Sequence, residues 1–219
     1  MVARLKWCHH LSRATKKLHK CRMIKDPAFM QFFFCLFTLI FTKNKCMGFS
    51  DHSFYHVFNR GINKQKIFFN QNNYEFFLDK IERHIVPYCD IISYCLMPNH
   101  FHLLISTNEQ ATYLSKALQV TLSSYTRAIN IQENRTGSLF QQNTKRKYIH
   151  TNDDGRYLSS VFKYIHQNPI DAKLVLSPED WQYSSYNEYF DLKPLHRYIC
   201  DINTAKLYIE LSSAEMVLI

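Results

Sequence analysis

Two apolar segments, Ile91–Met97 and Leu103–Ile105, stand either side of Pro98-Asn99 and His100-Phe101-His102. Pro98-Asn99 is a turn signal, and two strand-like runs joined by so short a link make an antiparallel hairpin. Residues two apart on a strand point to the same face. His100 and His102 therefore present two imidazoles side by side, while Phe101 turns into the core. Neutral imidazole is the commonest metal ligand and suits borderline cations; a hard ion such as magnesium wants oxygen ligands as well. Two hydrogen-bonded structural histidines at a strand start fit the same pattern, and His-x-His alone does not separate the two readings.

The rest of the chain builds around this hairpin. Phe54-Tyr-His-Val-Phe58 alternates and is rich in β-formers, and Asn59-Arg60-Gly61 is expected to turn the chain. Gln71 to Val86 carries Tyr74, Phe77, Leu78 and Ile81 at helical spacing, with Pro87 ending it. Strands are expected at Ile91–Met97 and Phe101–Ser106, then a second amphipathic helix from Ala111 to Ile129 with Leu114, Leu118 and Leu122 on one face. Gly137–Gln141 and Lys145–Ile149 read as a strand or extended pair. Asp153 and Asp154 can cap a third helix that runs to about Gln167, where Asn168-Pro169 breaks it. The order β-α-β-β-α-β-α predicts an α+β fold: an antiparallel sheet with helices packed on one face.

A chain of 219 residues, 46% of them apolar, suffices for one domain with appendages. With 4 Gly and 6 Pro it is neither low-complexity nor collagen-like, and no internal repeat is visible. The net charge of +9 favours a polyanionic partner, nucleic acid or anionic lipid. The 7 cysteines form no C-x-x-C, which speaks for reduced thiols in a cytoplasmic protein.

Residues 1–46 differ from the rest of the chain. Residues 1–27 are basic, with Asp26 the only acid, and Phe29–Phe41 is an apolar run. It is short for a membrane span, which needs ~20 residues. A signal-type segment or anchor is one reading, although no small-residue cleavage site comes after it. A start at Met47 is the other, because a strand pattern begins almost at once after it. The expected organisation is an N-terminal extension over 1–46, a domain over 47–192, and a C-terminal tail over 193–219 without an interpretable motif.

The third helix brings further chemistry. Tyr164 and Asn168 are i, i+4 and share one face. A divalent ion held by His100, His102 and the Asn168 amide oxygen would keep open positions for phosphate oxygens. Tyr164 would then sit near the activated phosphorus as a nucleophile. A tyrosine hydroxyl, with an ordinary pKa of about 10, needs such polarisation; a tyrosine buried for packing is the competing reading. Tyr125 and Tyr157 lack an Asn at i+4, where Ile129 and Val161 stand. His166, two residues from Tyr164, points to another side of the helix and reads as a packing or surface residue. Arg60, Arg127, Lys145, Arg146, Lys147 and Lys163 are candidates for DNA-backbone contacts, and Lys145-Arg-Lys147 beside aromatics suits a groove tracking phosphates.

Met97-Pro-Asn-His-Phe-His-Leu-Leu104, followed by Tyr164-Ile-His-Gln-Asn-Pro-Ile-Asp-Ala-Lys-Leu-Val175, resembles the single-tyrosine HUH transposases, and within them the REP-associated tyrosine transposase branch. Tyr55-His-Val-Phe-Asn-Arg-Gly61 resembles that family's opening strand. Gly137-Ser-Leu-Phe-Gln141 and Trp181-Gln-Tyr-Ser-Ser-Tyr186 resemble its later signatures, in the family order, and the likeness extends over about residues 50–190. The resemblance implies a ferredoxin-like fold of the HUH endonuclease type that nicks and rejoins single-stranded DNA. By it, His100 and His102 match the metal-binding histidines, Asn168 the third ligand, and Tyr164 the nucleophile that forms a 5′-phosphotyrosine and frees a 3′-hydroxyl. The implied ion is Mg²⁺ or Mn²⁺, and the implied partner is single-stranded DNA with hairpin or palindromic elements, with no membrane expected. Monomer and homodimer both stay open.

The residues allow three functions: a strand transferase using Tyr164, a catalytically silent or domesticated hairpin-DNA-binding protein, and a metal-dependent hydrolase with a water nucleophile. The last lacks obvious carboxylate ligands. Replacing Tyr164 by Phe separates the first from the last.

Overall fold

The computed structural model describes residues 48–150, 156–190, 192 and 198–209. The expectations for residues 1–46, for the Asp153/Asp154 cap, and for 193–197 and 210–219 lie outside the described residues. Four strands and three longer helices come in the order β1 (Phe54–Arg60), α1 (Gln71–His84), β2 (Cys89–Met97), β3 (His100–Thr107), α2 (Leu114–Gln132), β4 (Lys145–Ile149) and α3 (Arg156–Asp171). Two short helices, α4 (Tyr186–Tyr189) and α5 (Ile202–Tyr208), come after them. The sheet order is β2-β3-β1-β4 and every neighbouring pair is antiparallel, the ferredoxin-like arrangement.

Each element starts and stops for a local reason. Asn70 caps α1: its side chain accepts from the Asn73 amide, and the Asn73 side chain accepts from the Asn70 amide. Pro87 lies in a 3-10 turn, Val86–Tyr88, that ends the helix and leads into β2. α1 and α2 lie on one face of the sheet, as the spacing predicts. Phe77, Leu78 and Ile81 of α1 and Leu118, Tyr125 and Ile129 of α2 meet Val57, Tyr94, Phe101 and Leu103 there. Phe101 is fully buried, 5.2 Å between ring centroids from Phe77. Burial of each such side chain contributes about 1.5–3 kcal/mol.

α3 covers the opposite face, so helices lie on both sides of the sheet. Its Leu158, Val161, Phe162 and Ile165 pack on Phe54, Ile92, Cys95, Leu104 and Ile149. The reason is visible in β2, which is buried along nearly its whole length: a run of apolar residues without polar alternation needs cover on both faces. A register shift at Ile91/Ser93 turns Ile92 into this second core.

Two boundaries differ from expectation. Asn59 and Arg60 continue β1, held by pairing of Arg60 with His100, and the chain turns only at Ile62–Lys64. Gly61 is required there, because a Cβ at that position would lie 2.2 Å from the Gln65 carbonyl oxygen. Asn168-Pro169 does not break the third helix, which runs through Pro169 to Asp171. Pro169 is buried against the domain, and the Ala172 and Leu174 amides still reach the carbonyls of Asn168 and Pro169. Packing thus overrides the usual aversion of a residue before proline to the helical conformation.

Within the stretch read as a tail, residues 198–209 pack along β2. The Asp201 amide donates to the Ile91 carbonyl, Asp201 caps α5, and Ala205 and Ile209 enter the second core. Buried Glu188 holds this segment by accepting from the Ile199 and Cys200 amides, while its other oxygen takes the Tyr94 hydroxyl.

Candidate active site

The register of β1 against β3 builds the site. Arg60 pairs with His100, Phe58 with His102 and His56 with Leu104. The even-numbered residues of both strands therefore face the side covered by α3. α3 places Tyr164 over the histidines, with ring centroids 5.7 Å from His102 and 6.1 Å from His56. The rings of His100 and His102 are 5.0 Å apart. Tyr164 is about half exposed and His102 is buried, so the tyrosine stands at a solvent-open mouth above a buried floor.

Asn168 closes the group one helical turn further on. Its Nδ2 donates to the Tyr164 carbonyl at 2.6 Å. Since the amide nitrogen is committed to the helix, the oxygen is the atom left for a partner in the cleft. Two further contacts orient the imidazoles: His102 Nδ1 lies 2.9 Å from His56 Nε2, and His100 Nδ1 lies 2.6 Å from Asn99 Oδ1.

All three imidazoles are kept neutral. Burial pushes the pKa of His102 down to about 3, helped by His56 and His100. Burial, then the charge of Lys147, pushes His56 down to about 4. Burial also lowers His100, opposed by the nearby Asn168 side chain and helped by the charge of Arg60. Neutral imidazole is the ligating form. Among the described residues there is no group of three or more His, Cys, Asp or Glu side chains set to hold a metal. A cation here would rest on two ring nitrogens and one amide oxygen, a mixed set that accepts a hard or borderline divalent ion and leaves positions for phosphate oxygens.

A cleft of about 420 Å³ opens over this group, its walls including Arg60, His100, His102, Lys145 and Tyr164. Among the described residues the Arg60 Nε is buried with no hydrogen-bond partner. The other basic candidates divide. Lys145 and Lys147 lie on the cleft side of β4, Lys147 with its ammonium 4.8 Å from the Tyr157 ring centre. Arg146 points to the other face, over the Phe49 ring, and lines a second groove of about 580 Å³ with residues of α2. Strand alternation splits a triplet that reads as one patch in sequence. Arg127 is exposed on α2, and Lys163 is half-buried on α3.

The competing residues are structural. Tyr125 is buried and donates to the Ile67 carbonyl. His166 is buried and hydrogen-bonded to Ser185. The sequence pattern does not single out His56, and it gives Asn99 only a turn role. His56 shares the even-numbered phase of Phe58 and Arg60 on β1, but only the pairing register puts that phase beside His102.

Comparison with known proteins bears on the family and the fold. A protein of Haemophilus influenzae named as a REP-associated tyrosine transposase is 25% identical over an alignment of 107 residues that covers 45% of this chain and 59% of that protein. The chain thus matches less than two thirds of that relative's length. Among solved structures, a REP-associated tyrosine transposase bound to a REP hairpin is similar in fold, with a TM-score of 0.54 at 16% identity, covering 69% of this chain and 87% of that one. The family model described as "Transposase IS200 like" matches residues 50–168. That match spans more than half of the chain and takes in β1, the hairpin with both histidines, and α3 through Tyr164 and Asn168: the chain belongs to the IS200-like transposase family.

Proposed function

We propose that this protein nicks and rejoins single-stranded DNA, with Tyr164 as nucleophile, at sites flanked by hairpin or palindromic elements. The observation that carries the reading is the meeting at one cleft of His100 and His102 from β3 with Tyr164 from α3, Asn168 standing one turn further along the same helix. Tyr164 Oη attacks the phosphorus; the Oη–P bond forms as the P–O3′ bond breaks. The tyrosine proton passes to solvent, and the departing 3′-oxygen gains one to leave as a 3′-hydroxyl. The 5′-phosphotyrosine keeps the energy of the broken ester, so the reverse attack by a 3′-hydroxyl rejoins a strand without a nucleotide cofactor.

His100, His102 and the Asn168 oxygen would hold Mg²⁺ or Mn²⁺, whose charge polarises the phosphate and stabilises the transition state. Arg60 and Lys145 receive the flanking phosphates, and the buried Arg60 donor gains its missing partner there. A hairpin partner is consistent with the similar solved structure, which is bound to one.

The test uses the full chain, as wild type and Tyr164→Phe, with hairpin-bearing single-stranded DNA and Mn²⁺ or Mg²⁺. A protein–DNA adduct on a denaturing gel that requires metal and disappears in the variant is the expected result. Hairpin binding with no adduct would replace this reading by that of a silent DNA-binding protein. Cleavage retained by Tyr164→Phe would indicate a water nucleophile.

A further inference from the structure

We propose that His56 and Asn99 are positioning residues that hold His102 and His100 in the Nδ1–H tautomer, leaving Nε2 of each as the ligating atom. This rests on the proposed role of the two histidines in holding a divalent ion. An imidazole ligates through its bare nitrogen, so the other must carry the proton and needs an acceptor. In both histidines that other nitrogen is Nδ1, and in both it has a partner.

At His100 the proton has one place to be. The Asn99 amide is oriented by its own bond, Nδ2 donating to the Lys64 carbonyl at 3.3 Å. The Oδ1 is thereby turned to His100 Nδ1, and an amide oxygen only accepts. The backbone secures Asn99 in turn, since the Gly61 amide donates to its carbonyl and the Ile67 and Phe68 amides to that of Pro98.

At His102 the partner is another ring, which either donates or accepts. Both rings are buried and they lie stacked, with centroids 5.0 Å apart, so the pair shares one proton on the line between them. If His102 ligates through Nε2, the proton belongs to His102 Nδ1 and His56 Nε2 is the acceptor. His56 then carries its own proton on Nδ1. Both acceptors are neutral, unlike the carboxylate often found behind a metal-bound histidine. Little negative charge is passed forward, so the ion's charge is left for the phosphate.

The experiment uses the full chain with ¹⁵N-labelled histidine. Long-range ¹H–¹⁵N correlation spectra of the metal-free protein report the tautomer of each ring. Titration with Mn²⁺ followed by electron paramagnetic resonance reports affinity without any catalysis. We expect Nδ1–H at His100 and His102 in the wild type. His56→Phe and Asn99→Ala, which remove the acceptors, should shift the corresponding ring toward Nε2–H and weaken Mn²⁺ binding by about 10- to 100-fold. His56→Gln, which replaces the ring nitrogen by an amide oxygen, and Asn99→Asp, which keeps an oxygen acceptor, should stay within a few-fold of wild type. An Nε2–H His102 in the wild type overturns the assignment, and that measurement needs no variant to fold. Mn²⁺ binding lost in His102→Ala but undiminished in His56→Phe overturns it while leaving the metal site in place. Mn²⁺ binding unaffected by His102→Ala overturns the metal reading and the assignment with it.

Discussion

Acidification from pH 7 to pH 5 should destabilise this fold, and His166 supplies a share of the loss that can be worked out and isolated. The ring is 1% exposed, packed at 4.5 Å from Phe162 by ring centroid, with Nε2 2.8 Å from Ser185 Oγ and Nδ1 buried without a partner. Burial lowers its pKa from 6.5 to about 3. In the unfolded chain the ring takes up a proton as pH falls through 6.5, while in the folded chain it stays neutral until about 3. Between those values the unfolded state binds more protons, so stability rises with pH and is lost on acidification. At pH 5 the unfolded ring lies 1.5 units below its pKa, and at 1.36 kcal/mol per unit that costs about 2 kcal/mol. His166→Gln keeps a polar group for Ser185 and removes the titration. Urea denaturation of wild type and variant at pH 7 and pH 5 gives the comparison. Whatever the variant costs at pH 7, the wild type should lose about 2 kcal/mol more than the variant on going to pH 5. Parallel losses in the two proteins would refute the claim that the domain buries a neutral imidazole here. His56 and His102, lowered in the same direction, remain in both proteins and cancel in the difference.

Phe101→Ala, which empties the centre of the first core, should cost about 3–5 kcal/mol in chemical denaturation; a loss under about 1 kcal/mol would mean that the residue does not anchor the core. Gly61→Ala forces a methyl group against the Gln65 carbonyl and should cost about 1–3 kcal/mol, read as a lowered Tm. An unchanged Tm would show that the loop at Ile62–Lys64 adopts another path. Arg60→Gln should weaken binding of single-stranded DNA and reduce its salt dependence by about one phosphate contact, with Mn²⁺ affinity little changed. Filter binding across salt concentrations checks this, and an unaltered slope would remove Arg60 from the DNA path.

Much of the fold is written in short-range patterns. The hairpin around Pro98-Asn99, the inward Phe101 and the i, i+4 pairing of Tyr164 with Asn168 depend only on periodicities of two and 3.6, which sequence displays directly. The face taken by α3 is legible in hindsight from β2, since Ile91–Met97 is too uniformly apolar for a strand with one wet side. The role of His56 is not legible in this way. A strand's phase says which residues share a face, but its partner and register are long-range facts, and here they link residues 46 apart. The continuation of α3 past Asn168-Pro169 escapes the sequence for the same reason, a local preference outweighed by burial that spacing does not show.

Tyr164 and Asn168 ride on one rod. A nucleophile on a loop can swing away while the ion stays fully held, but a helix moves as a whole. Any excursion of α3 that withdraws the hydroxyl also withdraws the amide oxygen, and it drags Leu158, Val161, Phe162 and Ile165 out of the second core. In the proposed reaction, attack and ion retention would be mechanically geared together. A DNA end joined to Tyr164 would then stay docked for as long as the helix stays seated, and turnover would depend on exchange of the incoming strand.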